Sequence, residues 1–397
     1  MRKKLAFLVP ALFLLTLVNH WVLPWFVGAF LLVVYASVFK IGLPKKVLFE
    51  TFFLVLLLAI FALKFVVLDV RFVASASVSA FQNNAIVMVL LVFVWGVLRS
   101  ISLQEDEQVL ISAVRLLLVV HLAVFFVQFF TYLFLGLYLD FVQPFTGEIS
   151  RYGAFDKGLS GIGGVRPTGF FAEPSNFSAV VFFLVVILKA VDGVRLDLIS
   201  VVSLIAMVLA FSTAGVILAV CLLAVLVLAG NGQKPAKLVF ISLLILAAGV
   251  FLDQLLSLYL AQERKYLSSS DIRFSLVDFI LARDGLALFF GYGPFGVEPS
   301  LYAATTDTAG GRIAASMTDS GTAVFLMLNF GLLGLLIYAA IVWWQHKGLW
   351  QTCLFLLATF SKLSIFSPVW IILYLFLLES DRLKLHAFEL KVGRISG

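Results

Sequence analysis

The polar residues best suited to chemistry lie in one short segment, residues 166–177 (RPTGFFAEPSNF). Gly169 and the proline before it predict a tight turn. Pro174, a residue type favoured at the first position of a helix, follows Glu173 directly. Because a helix N-terminus attracts anions, the segment predicts an anion-binding corner that combines the Arg166 guanidinium with one carboxylate. The alternative is an interfacial loop whose shape an Arg166–Glu173 ion pair fixes.

The elements that must position these residues are membrane helices. The chain has 397 residues, of which 62% are hydrophobic and 13% charged, and its mean hydropathy is +1.11. A soluble domain carries about 25% charged residues, so the composition excludes a water-soluble fold, and the low charge excludes disorder. In such a chain the net charge of +6 first reports topology and is no sign of nucleic-acid binding.

Apolar runs predict an all-α, polytopic membrane protein with about twelve transmembrane helices, forming a single transmembrane domain over residues 1–397. The candidate spans are 5–18, 21–39, 47–68, 80–98, 109–139, 174–189, 196–211, 213–230, 238–252, 320–344, 349–363 and 367–379. Run 109–139 is too long for one upright span, so we expect it to tilt or to continue outside the bilayer. The first run lacks a small-residue cleavage site and is interpreted as an uncleaved helix.

Lysine and arginine residues predict the orientation of these spans. With the N-terminus in the cytoplasm, 16 of the 28 fall in segments on the cytoplasmic side, 10 on the outer side and two within spans. Short basic loops mark the cytoplasmic side, whereas all the outer charges except Lys362 lie in longer loops. Both termini are therefore predicted to be cytoplasmic.

Two outer segments are long: loop A, residues 140–173, and loop B, residues 253–319. The cytoplasmic loops are short and leave no room for a nucleotide-binding or catalytic domain. We therefore expect any chemistry at the outer face, without direct use of cytosolic ATP or nucleotide sugars. Within loop B, residues 271–290 predict one amphipathic helix lying in the membrane interface, either as a lid over the bundle or as a substrate contact.

Other chemical motifs are weak. The G-x-G-x-x-G pattern at 291–296 lies in loop B and follows no strand, which argues against a dinucleotide site. Cys221 and Cys353 lie inside apolar runs, and no residue spacing predicts a metal site or a cofactor. His121 and Gln128 are seven residues apart in one span and share a helix face. They predict either a functional intramembrane site or hydrogen bonds between helices.

Segment 166–177 also carries a family resemblance. Its pattern Arg-x-x-Gly-x-Phe-x-Glu-Pro before a mid-chain span resembles Wzy-type O-antigen and capsular polysaccharide polymerases, which belong with the O-antigen ligases. The short outer turn at 211–215 (FSTAG), the sequence FGYG at 290–293, and DSG at 319–321 followed by a span with NFGLLG follow in the family's order. The resemblance covers about residues 140–379.

The resemblance implies a GT-C-like bundle in the bacterial inner membrane with its active site on the periplasmic side. The implied activity is that of a metal-independent glycosyltransferase that polymerises repeat units for lipopolysaccharide or a related surface polysaccharide. It moves the growing chain from undecaprenyl pyrophosphate to the non-reducing end of a new lipid-linked unit. The implied partners are undecaprenyl-pyrophosphate-linked oligosaccharides and the lipid bilayer, with a chain-length regulator as a further candidate.

The family's functional arginines fall on Arg166 and Arg273 in this sequence. Fixed guanidinium groups stabilise the charge that develops on a pyrophosphate leaving group as the glycosidic bond breaks. The acceptor hydroxyl needs a base or an orienting group, for which Glu173 is the first candidate and Asp319 the second. The predicted catalytic residues are Arg166, Glu173 and Arg273, and the predicted substrate-binding residues are Gly169, Asn176, Arg312 and Asp319.

Two other functions stay open at this point. An O-antigen ligase or oligosaccharyltransferase would use similar substrates, but related ligases carry a histidine where this chain has Asp319-Ser320. A lipid-linked sugar transporter or flippase predicts paired repeats, discontinuous helices and charges deep in the bundle. Here the charges are concentrated in the outer loops, which favours the polymerase.

Overall fold

In the computed structural model the described part of the chain is helical and contains no β-strand. The structure describes residues 1–17, 22–64, 75–150, 165–194, 196–229, 276–295, 321–344, 348–359, 361–363 and 367–378. The helices are α1 (Arg2–Thr16), α2 (Leu23–Val38), α3 (Lys45–Lys64), α4 (Ser75–Gln104), α5 (Glu107–Leu135), α6 (Gln143–Thr146), α7 (Pro174–Asp192), α8 (Leu198–Leu209), α9 (Thr213–Ala229), α10 (Gly285–Phe290), α11 (Thr322–Trp344), α12 (Leu349–Thr359) and α13 (Pro368–Leu378). Residues 276–281 are also helical.

These helices agree with the apolar runs of the sequence. Eleven of the twelve predicted spans coincide with a helix, and run 238–252 lies outside the described residues. Five helices of the described part are long and apolar enough to cross a membrane: Lys45–Leu63, Gln82–Gln104, Glu107–Leu135, Pro174–Val191 and Thr322–Trp343. The described part of the chain is thus all-helical and suited to a lipid bilayer, while the count of twelve spans and the GT-C arrangement stay predictions.

Helix α5 shows how local signals set the ends of the longest apolar run. The Asp106 carboxylate accepts a hydrogen bond from the Gln108 backbone N–H at 2.8 Å, which caps the first turn. Gly136, with φ +65°, ends the helix in the left-handed conformation typical of C-caps. The 29 residues span about 43 Å at 1.5 Å each, more than a hydrocarbon core of about 30 Å. A helix of this length that crosses a bilayer extends beyond the core or tilts, which stays the prediction made from the sequence.

Helix α7 is the centre of the bundle. In its apolar stretch Pro174–Val191, 89% of the residues are buried, because α5, α8, α9, α12 and α13 pack around it. Phe177 stacks on Phe125 of α5 with ring centroids 4.3 Å apart, and Phe183 meets Trp370 of α13 edge to face at 4.8 Å. Since its surroundings are protein on nearly every side, the position of its N-terminus is fixed by packing.

A buried carboxylate ties three helix ends together on the side predicted to be cytoplasmic. Glu105, between α4 and α5, accepts hydrogen bonds from the Lys4 ammonium and the Tyr35 hydroxyl. Beside it the Gln104 side chain bonds both backbone groups of Gly42, at 3.1 and 2.7 Å. Burial alone would raise the pKa of Glu105, but the bonds from Lys4, Tyr35 and the Asp106 N–H together hold that pKa below its usual value.

Replacing Glu105 tests this anchor. We expect Glu105→Gln to lower the free energy of unfolding by about 2 kcal/mol at pH 7, since charge-assisted hydrogen bonds are lost. A carboxyl group with a lowered folded-state pKa stabilises the protein above its unfolded-state pKa and loses that effect as pH falls through the folded-state value. The difference between wild type and variant should therefore shrink below about pH 4, as measured by thermal unfolding in detergent.

Asp278→Asn, which removes an exposed carboxylate, is the matched control and should leave the melting temperature unchanged. An equal destabilisation by Glu105→Gln at pH 7 and at the acidic end would contradict the ionic account of the anchor.

Candidate functional site

The end of loop A turns sharply before it enters α7. The Phe171 N–H donates to the Thr168 carbonyl at 3.1 Å, and Gly169 between them has φ +60°. An L side chain at Gly169 would be strained in this left-handed conformation, and its Cβ would lie 3.2 Å from the Phe177 ring. The tight turn expected from the sequence is thus present, with a glycine where backbone and space require one.

The buried amide of Gln128 on α5 holds this turn. Its Oε1 accepts the backbone N–H groups of Thr168 and Gly169 at 2.7 and 2.9 Å, and its Nε2 donates to the Leu139 carbonyl at 2.7 Å. The Tyr138 hydroxyl also lies 3.0 Å from Thr168 Oγ1. Both chain segments at the base of loop A are therefore bound to α5, and the buried amides of Thr168 and Gly169 gain an acceptor there.

Glu173 lies at the start of α7 and is paired with a lysine distant in sequence. It is the N-cap residue before Pro174, as the sequence predicts. Its carboxylate forms an ion pair with Lys362, which follows α12, and accepts the Ser175 hydroxyl at 3.2 Å. The Lys362 ammonium also lies 3.4 Å from Ser175 Oγ. The side chains of Lys362 and Glu173 are 10% and 19% exposed, so the pair is only partly open to solvent.

Arg166 reaches the turn between α8 and α9. Its Nη1 donates to the Phe211 carbonyl at 3.4 Å, and Phe211 itself adopts a left-handed φ of +49°. The turn is held close to α7: a Cβ on Gly215 would lie against Ser178 of α7 and 2.8 Å from the Met207 carbonyl oxygen. Two segments that the family resemblance singled out, 166–177 and 211–215, are thus neighbours.

The other predicted site residues divide into two groups. Asn176 lies in the first turn of α7, where its backbone N–H donates to the Glu173 carbonyl at 3.1 Å. Arg273, Arg312 and Asp319 lie outside the described residues. The structure therefore gathers Glu173 and its helix start with Lys362, and it joins Arg166 to the 211–215 turn.

Two residues of this region, Lys362 and Gln128, could not be assigned a role in the site from the sequence. Lys362 was absent from the predicted site, although its position offered a signal: it was the outer cation that did not belong to a long loop. Gln128 is recognisable in the sequence as a polar residue within a span, but the sequence leaves its role open. In the structure Gln128 forms hydrogen bonds to the backbone of loop A. His121 forms a hydrogen bond with Thr16 Oγ1 of α1 at 2.9 Å.

Chemically, the start of α7 carries the Glu173–Lys362 ion pair, and the Arg166 guanidinium lies at the neighbouring 211–215 turn. The helix dipole and the Arg166 and Lys362 charges favour an anion. Arginine is suited to hold phosphate oxygens through two parallel hydrogen bonds, while lysine acts as a point charge. Such a set suits the binding of a phosphate-containing ligand next to a group that can accept a proton.

Replacing Gln128 should release the turn. We expect Gln128→Leu to leave the Thr168 and Gly169 amides without their acceptor, at about 1–3 kcal/mol for each buried group left unpaired. Hydrogen exchange at these two amides should accelerate at least tenfold, since about 1.4 kcal/mol corresponds to a factor of ten.

Gln108→Leu on the same helix is the control, because its side chain is exposed, and it should leave exchange at both amides unchanged. Equal exchange in Gln128→Leu and wild type would contradict the proposed clamp.

Removing the cation that faces Glu173 should destabilise the start of α7. We expect Lys362→Met to lower the melting temperature because the partly buried carboxylate loses this partner, and Lys362→Arg to retain most of the stability. The double variant Lys362→Met/Glu173→Gln should recover part of the loss. Additive effects of the two substitutions in a thermal-unfolding cycle would show that the pair is not coupled.

Comparisons of the chain with protein-family models, curated proteins and solved structures find no match.

Proposed function

We propose that the protein is a membrane glycosyltransferase that polymerises undecaprenyl-pyrophosphate-linked oligosaccharide repeat units into O-antigen or a related surface polysaccharide. The observation that carries the proposal is the set of groups at the buried N-terminus of α7: Arg166 against the 211–215 turn, and Glu173 paired with Lys362. The family resemblance of these segments supports the same function.

Arginine and lysine supply what the leaving group of this reaction requires. Negative charge develops on pyrophosphate as the bond between the anomeric carbon and the phosphate oxygen breaks. Preorganised cations and helix N–H groups stabilise such charge more in a poorly hydrated site than in water. Arg166 is assigned to the pyrophosphate, and Lys362 joins the predicted site residues as a second cation for the same anion.

Glu173 is assigned to the acceptor hydroxyl. In the transfer step the acceptor oxygen attacks the anomeric carbon, the bond to pyrophosphate breaks, and the hydroxyl proton passes to the Glu173 carboxylate. The ion pair with Lys362 holds this carboxylate at the start of α7 before substrate binds. When pyrophosphate competes for the ammonium, the carboxylate is released toward the acceptor hydroxyl.

The proposal sets the protein in the bacterial inner membrane, with both termini cytoplasmic and the start of α7 at the periplasmic face. The substrates reach this face on their lipid carriers, so the reaction draws its energy from the pyrophosphate linkage. Arg273, Arg312 and Asp319 of loop B are proposed to complete the catalytic and substrate-binding groups.

Polymer length in cells tests the assignment. We expect Arg166→Ala to reduce polymerisation about 10²- to 10³-fold, the usual effect of losing one preorganised charge stabiliser, so that only single repeat units remain attached. Arg166→Lys should recover part of the activity, and Glu173→Ala should also abolish long chains. The measurement is the length distribution of surface polysaccharide at matched protein levels.

Arg115→Ala is the matched control, since Arg115 is an exposed arginine on α5, and it should give wild-type lengths. Wild-type chain lengths from Arg166→Ala would overturn the site assignment. Normal polymer that is not attached to its final acceptor in a deletion strain would instead identify a ligase.

One observation favours transport of a lipid-linked sugar as a second candidate. Helix α11 is discontinuous, because Gly331 interrupts it with φ +62° and ψ −162°, and broken helices are typical of transporter binding sites. Purified protein in detergent decides between the two: elongation of lipid-linked repeats without a gradient or nucleotide supports the polymerase. Absence of elongation, together with translocation in proteoliposomes, supports the transporter.

A further inference from the structure

A segment of loop B, residues 276–295, is packed against the break in α11. The non-helical conformation of Gly331 divides this helix into two halves. A Cβ on Gly331 would lie 2.5 Å from the Leu288 carbonyl oxygen, and a Cβ on Gly291 would lie 2.5 Å from the Asn329 carbonyl carbon and oxygen. The two backbones therefore touch at a point where only glycines fit.

The same segment satisfies carbonyl groups at the end of the first half of α11. Arg283 Nη1 donates to the Leu328 carbonyl at 3.0 Å and to the Met327 carbonyl at 3.3 Å, and the Gly293 N–H donates to the Asn329 carbonyl at 2.7 Å. These carbonyls lie where an intact helix would bond its next turn. Loop B thus replaces the hydrogen bonds that the break removes.

The break lies deep within a candidate membrane span. Gly331 is nine residues after Thr322 in the span Thr322–Trp343, which corresponds to about 14 Å along a helix axis. The hydrocarbon core of a bilayer is about 30 Å thick. The backbone of residues 291–293 therefore contacts α11 close to the middle of the span.

The apolar surface of residues 276–295 agrees with a position near the middle of the membrane span. On one side Leu276 and Ile280 are buried against Leu328 of α11. On the other side α10 exposes large apolar side chains, with Leu286 77% and Phe290 50% accessible. Exposure of such large apolar side chains to water is unfavourable, whereas contact with lipid chains is favourable.

The segment is also attached to α4 and does not stand away from the bundle. The Asn84 side chain donates to the Pro294 carbonyl at 3.0 Å, and Phe295 packs on Met88. The predicted single amphipathic helix over 271–290 is corrected in its described part: the helix ends near Arg283, and α10 begins after Asp284 as a separate element. This interruption allows the chain to turn toward α11.

We infer that residues 276–295 form a re-entrant element, whose α10 inserts into the bilayer and contacts lipid hydrocarbon beside the break in α11. Non-helical backbone at membrane depth is tolerated only where protein or a water-filled cavity satisfies it, and here α11, Arg283 and Asn84 do so. The inference concerns the membrane contact of loop B and does not depend on the proposed reaction.

Spin-label accessibility tests the depth. In a background carrying Cys221→Ser and Cys353→Ser, single labels are attached through Leu286→Cys and Phe290→Cys in protein reconstituted into lipid nanodiscs. The ratio of accessibility to oxygen over a water-soluble nickel chelate is measured. Phe30→Cys on the apolar surface of α2 is the lipid reference, and Lys40→Cys in the exposed link after α2 is the aqueous reference.

We expect both α10 labels to give the high oxygen ratio of the Phe30 reference, several-fold above that of the Lys40 reference. A ratio equal to the Lys40 reference at both positions would overturn the inference. Arg283→Ala in the Leu286→Cys chain provides a second measurement: loss of the bonds to α11 should shift the label toward the nickel chelate. An unchanged ratio there would contradict the role given to Arg283.

Discussion

The arrangement of the site depends on one buried amide. A loop that passes into an apolar bundle carries backbone N–H groups, and each one left unpaired away from water costs free energy comparable to a lost hydrogen bond. Gln128 removes that cost for Thr168 and Gly169 with one oxygen, and it binds the other side of the loop base through Leu139. Without this acceptor, burial of the turn before α7 would leave the Thr168 and Gly169 amides unpaired.

The turn held by Gln128 determines where the charged groups at the start of α7 lie. The helix begins at Pro174 because Glu173 leaves the turn in an extended conformation, and the surrounding helices prevent α7 from shifting. The carboxylate then meets Lys362, while Arg166 on the other side of the turn contacts the Phe211 carbonyl. A partly buried setting of this kind strengthens the electrostatic interaction between Glu173 and Lys362.

The sequence predicted the parts of the fold that local signals determine. Apolar runs located the helices, Pro174 marked the start of α7, and Gly169 marked the tight turn. It did not identify the partner of Glu173, because Lys362 lies 189 positions away and only the packing of α12 against α7 brings it near. Gln128 was recognised as polar within a span, but its partners are backbone groups, which carry no sequence signal. The break at Gly331 was also missed, since a glycine in an apolar run is compatible with a continuous helix.

The pairing of Lys4 with Glu105 has a consequence for biogenesis. The two residues are 101 positions apart, so the ribosome completes α1, α2, α3 and all of α4 before it adds Glu105, the acceptor of the Lys4 ammonium. Until then the most extensive packing of α1 is its contact with α2. Lys4 therefore gains its partner only after α4 has been synthesised, whereas the packing of α1 on α2 needs only the first 38 residues.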